Sequence, residues 1–515
     1  MYLAILICGP IVGGLLAWLF GRVGKVWVRV WPLLFLLLDL GILVALWIKG
    51  VSPLTLGGHQ FYTELSLPWI PVLGMSVHLA LDGLSLALSL LTVFVGIVVI
   101  AAFWKSGRSH DPFFYFNLSL VLAGILGTFL AVDLFLFFLF WELMLVPTYF
   151  LIVAWGSEAD DGRKRQAAGF KFFVFTQVSG LLMLVAILAL YFIHGTSTGT
   201  YTFDLFALMG TKLSGTTSLL IMLGFLIAFA VKLPVVPFHS WLPDTYTEAP
   251  LPATIVLAGL MSKTGAYGLL RFVLPLFHDS AVRIAPVMLI LGVVGIVYGA
   301  VLAFGQTDLK RLIAYTSVSH LGFVLVGIFS MNQIAQEGAI LLMLSHGVAT
   351  AGLFLAGGYV EERTGTRNLD SLGGLFSVVP KLGGTGIVFA LIALGVPGSG
   401  NFLSEILVVV GTFQANLVLA IIASTGMVFS VIYALWIIQK SFHGPRPGET
   451  QSGAHGARVS GHTAAISLPA LKDLSLFETA LSVLMILVVF WLGIYPQPFL
   501  HLVAAVLQSF QGGIA

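Results

Sequence analysis

Apolar runs of about 20 residues, the length of a membrane-crossing helix, recur along almost the whole chain. They lie near 2–20, 30–48, 77–104, 113–131, 133–155, 168–193, 218–238, 250–275, 284–304, 309–330, 336–358, 379–411, 416–439 and 476–507. Polar and charged residues collect in the short segments between them. The pattern predicts an all-α polytopic membrane protein with about fourteen transmembrane helices. Several runs exceed what a perpendicular crossing needs, which implies tilt or irregularity. The last run contains Pro496 and Pro498 and reads either as one long helix or as a helix followed by a surface segment. Two connections are long. The stretch 50–76, with Pro53, Pro68, Trp69 and Pro71, suggests an ordered cap at the membrane surface. The stretch 444–472 is rich in Gly, Pro, Ser and His and reads as a mobile loop.

Composition agrees with that pattern and removes several functions. The 515 residues are 58% hydrophobic and 9% charged, with a mean hydropathy of +1.04. No soluble core needs so little charge. A net charge of +2 argues against a nucleic-acid partner. Cys8 is the only cysteine, which rules out an internal disulfide and a cysteine-ligated iron–sulfur cluster. Neither a phosphate-binding glycine loop nor a G-x-G-x-x-G is visible. The sequence therefore offers no nucleotide, redox-cofactor or metal site. The apolar N-terminus runs into a full-length first helix and reads as an anchor, not a cleaved signal.

The basic residues set a topology. With the first loop placed inside, eighteen of the 24 Lys and Arg fall in inside loops and four (Lys49, Lys212, Arg271, Arg283) in outside loops or helix ends. This bias puts both termini on the non-cytoplasmic face of the cell (inner) membrane. A faint internal repeat divides the chain: 1–111 as an N-terminal three-helix segment, 112–282 and 283–441 as five-helix units, and 442–515 as a cytoplasmic loop and C-terminal helix. Units of five helices enter the membrane from opposite sides, so the repeat is inverted. Each unit carries a proline-broken helix, KLPVVPFHSW at 232–241 and GVPGSGNFLSE at 395–405, with Pro234 aligned on Pro397.

Lys232 and Lys263 remain, both at membrane depth. Pro234 and Pro237 leave the carbonyls of Ala230 and Leu233 without their helical partners just after Lys232. Free carbonyls and a lysine at that depth are tolerated only beside protein or water. Glu142 lies nine residues past Asp133, roughly 13 Å deep at 1.5 Å per residue, and Lys232 is its natural partner. Lys263 lies about thirteen residues, some 20 Å, into its own helix. His320 and His346 fall mid-helix, and Glu405 follows the second break by eight residues. Together Glu142, Lys232, Lys263, His320, His346 and Glu405 form a row of carboxylate, amine and imidazole near the midplane, which is the chemistry of a proton wire. A histidine alone in such a helix is as readily a satisfied core residue, and a lone Glu–Lys contact an isolated ion pair. Asp39 is mid-segment but far from the row and reads as local or lipid-edge. His239, Trp241, Asp244 and Glu248 follow the first break, as a proton entrance or as helix caps.

The stretches FFLFWELMLVPTYFLIVAWG, FAVKLPVVPFHSWLPDTYTEAP, GLMSKTGAYGLLRF, QTDLKRLIAYTSVSHLGFVL, SHGVATAGLFL and GVPGSGNFLSE, with LALDGLSL and the YPQPFL near the end, resemble the antiporter-like subunit M (chain 4) family of proton-pumping NADH:quinone oxidoreductase, respiratory complex I. The resemblance spans nearly the whole chain. It implies two inverted five-helix repeats and a proton channel in which Glu142 pairs with Lys232, Lys263 lies next, His320 and His346 carry the middle, and Glu405 ends the path. It implies no cofactor in this chain, with NAD, flavin, iron–sulfur clusters and quinone in partner subunits. It also implies other membrane-arm subunits as neighbours, including further antiporter-like ones. The large subunit of a multisubunit cation/proton antiporter, or a membrane-bound hydrogenase relative, shares Glu142, Lys232 and the broken helices. A passive anchoring scaffold is the reading of a different class, and the midplane ionisable groups oppose it.

Overall fold

The computed structural model describes residues 1–21, 23–50, 55–56, 59–104, 111–444 and 471–512. Thirteen helices among them are long and apolar enough to cross a membrane. They are α1 (Tyr2–Phe20), α2 (Trp27–Lys49), α3 (Gly83–Ala102), α4 (Pro112–Leu130), α5 (Leu134–Trp155), α6 (Arg163–Thr198), α7 (Gly215–Lys232), α9 (Leu251–Leu276), α10 (His278–Phe304), α11 (Leu309–Phe329), α12 (Gln333–Thr364), α15 (Leu417–Phe442) and α16 (Leu476–Ile494). A short α8 (Trp241–Glu248) follows the first break. The run 379–411 is divided into α13 (Pro380–Ala393) and α14 (Gly400–Ala415), neither long enough to cross alone. The last run is likewise two helices: α16 ends before Pro496, and α17 (Gln497–Gly512) packs against α3 and α12. The loop expected to be mobile lies outside the described residues except at its ends.

The helices begin where a short polar side chain can take up a free N–H of the first turn. Asp82 and Ser85 form a reciprocal capping box at α3. Asp133 accepts from the N–H groups of Phe135 and Leu136 at α5, and Asp308 from Arg311 at α11. Ser399 accepts from Phe402 at α14.

Three expectations change. The third apolar run starts as a helix at Gly83, not at 77. Met75–Leu81 (β2) instead pairs antiparallel with Thr63–Ile70 (β1), so a hairpin forms the surface cap. The alternation of Val77, Leu79 and Leu81 with Ser76 and His78 is a strand period that the flanking apolar residues hid. Asp39 is not at a lipid edge. It is fully buried, and its carboxylate oxygens face Gly9 of α1, where a Cβ would stand 3.1 Å from Oδ1. Arg271, expected at an outside loop or helix end, lies near the end of α9 but is buried there, 2% exposed, and pairs with Asp82.

The same hydrogen-bond pattern occurs twice. Ahead of α5, Leu134 N donates to Phe203 O and Leu205 N to Val132 O, both at 2.9 Å. Ahead of α11, Leu309 N donates to Arg367 O at 2.9 Å and Leu369 N to Thr307 O at 2.7 Å. In each case the loop after the following long helix is stitched to the start of the helix before it.

Candidate functional site

The two helix breaks share one geometry. After α7, Val235 N bonds back five residues to Ala230 O at 2.8 Å; after α13, Val396 N bonds back five residues to Leu391 O at 3.1 Å. The carbonyl of Ala230 is therefore occupied, contrary to the expectation from Pro234. Instead a side chain caps the broken end: Trp241 Nε1 donates to Val231 O at 2.9 Å. At the second break Ser430 Oγ donates to Leu394 O at 2.9 Å. The shared pattern sets Val235 against Val396, so Pro234 corresponds to Gly395, and Pro397 to Val236, not to Pro234. In that register Asp244 of α8 corresponds to Glu405 of α14.

The first break holds Lys232, 1% exposed. Its Nζ lies 4.5 Å from the centre of the Trp141 ring and has no hydrogen-bond partner among the described residues. Glu142, on α5 beside Trp141, interacts with Lys232 electrostatically and with Gln177 of α6. No Glu142–Lys232 ion pair within 4.0 Å forms among the described residues, so the pair expected from the sequence interacts electrostatically without direct contact, and the ammonium rests on the Trp141 ring. Gly180 makes room for the carboxylate: a Cβ there would overlap Glu142 Oε1.

Lys263 belongs to a second, connected group. A π-helical turn, Leu257–Met261, precedes it in α9. Such a turn adds one residue and leaves one carbonyl without its usual partner. Lys263 Nζ donates to that segment at Ala258 O (2.6 Å), to Ser262 Oγ (3.3 Å) and to His346 Nδ1 (2.9 Å). Lysine has only donors, so His346 Nδ1 accepts and its proton sits on Nε2, which reaches Thr350 Oγ1 at 3.0 Å. His320 lies with its ring centre 5.4 Å from that of His346. Its Nδ1 reaches Glu405 Oε1 at 2.8 Å, and its Nε2 the Tyr433 hydroxyl at 3.0 Å. Both rings thus carry Nδ1 toward an ionisable partner and Nε2 toward a hydroxyl.

The structure brings four of the six expected residues, Lys263, His346, His320 and Glu405, into one contiguous set, with Glu142 and Lys232 beside it. Helices α7 and α9 touch at the break, where a Cβ on Gly265 would come within 2.6 Å of Phe229 O. Sequence reasoning missed Trp141, Gln177, Thr350 and Tyr433. Thr350 and Tyr433 fall one turn from His346 and on a separate helix respectively, and no ionisable signal marks either. Toward the face away from the hairpin, Asp244 accepts from Lys171 (2.7 Å) and Arg311 (2.8 Å). Glu248 pairs with Arg367 at 3.4 Å. His239 lies edge-on to Tyr298; burial, then Lys171, pushes its pKa below the usual value.

Residues 131–430 match the family described as NADH:quinone oxidoreductase/Mrp antiporter, transmembrane. NADH-quinone oxidoreductase subunit M of Escherichia coli K12 is 44% identical over 502 residues, covering 97% of this chain and 96% of that one. Among solved structures, a chain of respiratory complex I from Thermus thermophilus superposes with a TM-score of 0.83 at 28% identity, over 98% of this chain and 100% of that one. A chain of the Mrp complex from a Dietzia species superposes with a TM-score of 0.81 over 100% of this chain and 99% of that one, at 22% identity, a likeness of fold.

Proposed function

This chain belongs to the NADH:quinone oxidoreductase/Mrp antiporter membrane-subunit family, alongside subunit M, and from that premise we propose how it works. It is a membrane subunit of NADH:quinone oxidoreductase that translocates protons, and the other membrane-arm subunits are its neighbours in the bilayer. Protons move through Glu142, Lys232, Lys263, His346, His320 and Glu405, driven by redox chemistry in partner subunits, which hold the NAD, flavin, iron–sulfur and quinone sites. The observation that carries this reading is the run of hydrogen bonds from Lys263 to His346 and from His320 to Glu405, with every member at most 3% exposed. So many buried ionisable groups are costly without a function, which opposes a passive scaffold. The antiporter alternative rests on fold likeness at 22% identity, against 44% with subunit M.

Each imidazole relays by accepting at one nitrogen and releasing at the other. Lys263 gives a proton to His346 Nδ1, and His346 releases from Nε2. His320 accepts at Nε2 and passes its Nδ1 proton to Glu405. The two rings exchange through their hydroxyl partners, Thr350 and Tyr433, by ring rotation or one intervening water. The repeated hydrogen bonds ahead of α5 and α11, and the matching breaks, support the division into inverted units at 112–282 and 283–441. The charge bias supports termini on the non-cytoplasmic face.

The test uses inverted membrane vesicles containing the assembled complex. Glu142→Gln and Lys232→Ala depress proton uptake and quinone-coupled NADH oxidation, while electron transfer to a soluble artificial acceptor survives. Lys232→Arg restores the charge but not the transfer, because arginine holds its proton. Wild-type pumping by Lys232→Arg would make Lys232 a fixed charge and route the protons elsewhere.

A further inference from the structure

A mobile proton at Lys263 has a second way out. Lys263, Tyr267 and Arg271 recur at four-residue spacing along α9, on one face, at roughly 6 Å per step. They lead away from the midplane toward the side of the membrane that bears the β1–β2 hairpin. Tyr267 is fully buried, and its hydroxyl donates to Phe129 O at 2.8 Å. Arg271 Nε donates to the same hydroxyl at 3.1 Å, and its guanidinium closes onto Asp82, the cap of α3. Arg271 itself sits in a second π-helical turn, Leu269–Val273. At Gly83, next to Asp82, the α17 backbone at Leu502 approaches so closely that any Cβ would collide with it. The last helix thus packs on the start of α3 beside the pair, whose two members are at most 3% exposed.

The other end of the wire differs. Seven residues, about two turns, beyond Glu405 stands Thr412, whose hydroxyl meets Ser330 at 2.8 Å. Both are buried and neutral, and hydroxyls pass protons in either direction. Arginine has no acceptor and does not give up its proton in a protein. A fixed guanidinium across a pore also repels an approaching proton.

We propose that the buried Arg271–Asp82 pair, held by Tyr267, is a proton-exclusion barrier that closes the outward path from Lys263 and so directs protons sideways to His346 and Glu405. This rests on Lys263 being a relay group. A salt bridge whose only task is to tie α3 to α9 would leave proton leak unchanged, so leak, not stability, is the readout.

The assembled complex is reconstituted into liposomes, a pH gradient is imposed without NADH, and its decay is followed with an entrapped pH dye. Asp82→Asn/Arg271→Gln removes both charges together and leaves no unpaired ion. It is expected to speed decay several-fold, and adding Lys263→Met is expected to restore a tight membrane. Arg271→Lys keeps the charge and supports assembly if the double variant does not. It too is expected to leak, because a desolvated lysine releases its proton. Decay at the parental rate in both variants, or a leak that persists with Lys263→Met, overturns the barrier. The underlying relay is judged separately: parental pumping by Lys263→Met alone would remove Lys263 from the wire whatever the leak.

Discussion

Replacing Thr350 by valine tests the relay at a residue that carries no charge. The change keeps the β-branched shape and removes one hydroxyl. That hydroxyl takes the His346 Nε2 proton at 3.0 Å, and Lys263 fixes the proton on Nε2 by donating to Nδ1 at 2.9 Å. Valine leaves a buried N–H without a partner, at a cost of about 1–3 kcal/mol. The ring can escape that cost only by moving its proton to Nδ1, which breaks the bond from Lys263. Either way the arrangement in which Lys263 and His346 are joined becomes rarer by about 5- to 150-fold. If transfer through that joint limits turnover, proton uptake and quinone-coupled NADH oxidation fall together by up to that factor. Oxidation with a soluble artificial acceptor stays at the parental rate. Thr350→Ser keeps the hydroxyl and is expected to keep most of the activity. The assay is fluorescence quenching of an amine dye in inverted vesicles, after native gels confirm assembly. Parental pumping by Thr350→Val refutes the assignment, and so does an equal loss in Thr350→Ser, since that points to packing.

Further outcomes follow from other parts of the molecule. Glu405→Gln is expected to cut pumping at least tenfold while Glu405→Asp retains part of it, because only the carboxyl exchanges protons; unchanged pumping by an assembled Glu405→Gln complex removes it from the path. A reporter fused after Ala515 is expected on the non-cytoplasmic face and one inserted near Gly453 on the cytoplasmic face, and reversed labelling inverts the orientation. In the hairpin, His78 bridges Asp204 (2.5 Å) and Glu64 (2.7 Å). Burial alone lowers its pKa, but the bonds and charges of Asp204 and Glu64 outweigh it and raise the value above the usual one. The folded hairpin thus binds a proton more tightly than the unfolded one. Its clasp is fully stabilising below about pH 6.5 and weakens as pH rises through the raised value. Hydrogen-exchange protection over residues 63–81, corrected for the intrinsic base-catalysed rate, is expected to fall as pH rises in the parent and to stay level with pH in His78→Gln; identical profiles refute it.

The apolar period was enough to find nearly every crossing, because lipid demands an unbroken run of about 20 residues and tolerates little else. It failed where two elements of different period abut. The strand Met75–Leu81 runs straight into α3 with no polar residue between them except Asp82, so its own two-residue alternation was absorbed into a helix. The ionisable members of the site were legible for the same reason that they are costly: a Lys, Glu or His in an apolar run stands out. Thr350, Tyr433 and Trp141 did not, since hydroxyls and indoles are ordinary in such helices and their roles depend on which helix faces which. Arg271 escaped for a different reason. It lies near the end of its run, where a basic residue normally snorkels to the surface, and the contacts with Tyr267 and with Asp82, 189 positions away, hold it inside. The register of the two breaks was also beyond sequence, because prolines mark where a helix ends but not which N–H reaches which carbonyl.

The two halves of the proposed path differ in how firmly they are joined, and that difference locates the control. From Lys263 onward each group has a hydrogen-bonded partner, and the two rings lie 5.4 Å apart centre to centre. Lys232 has none among the described residues; its ammonium rests on the Trp141 ring, with Glu142 beyond direct contact. The most weakly held joint is where an outside signal has most effect. On this reading the joint is the gap between Lys232 and Lys263. An indole face holds a cation by about 0.5–2 kcal/mol, far less than a buried carboxylate bonded to it would. Movement of Glu142 toward or away from Lys232 then changes which arrangement Lys232 prefers. A signal from the redox subunits needs only to shift the neighbourhood of Glu142, Gln177 and Gly180, where α5 meets α6, to set the proton on Lys232 in motion. Filling that contact with Gly180→Ala, which drives a methyl into Glu142 Oε1, is the smallest change that separates this control point from the wire itself.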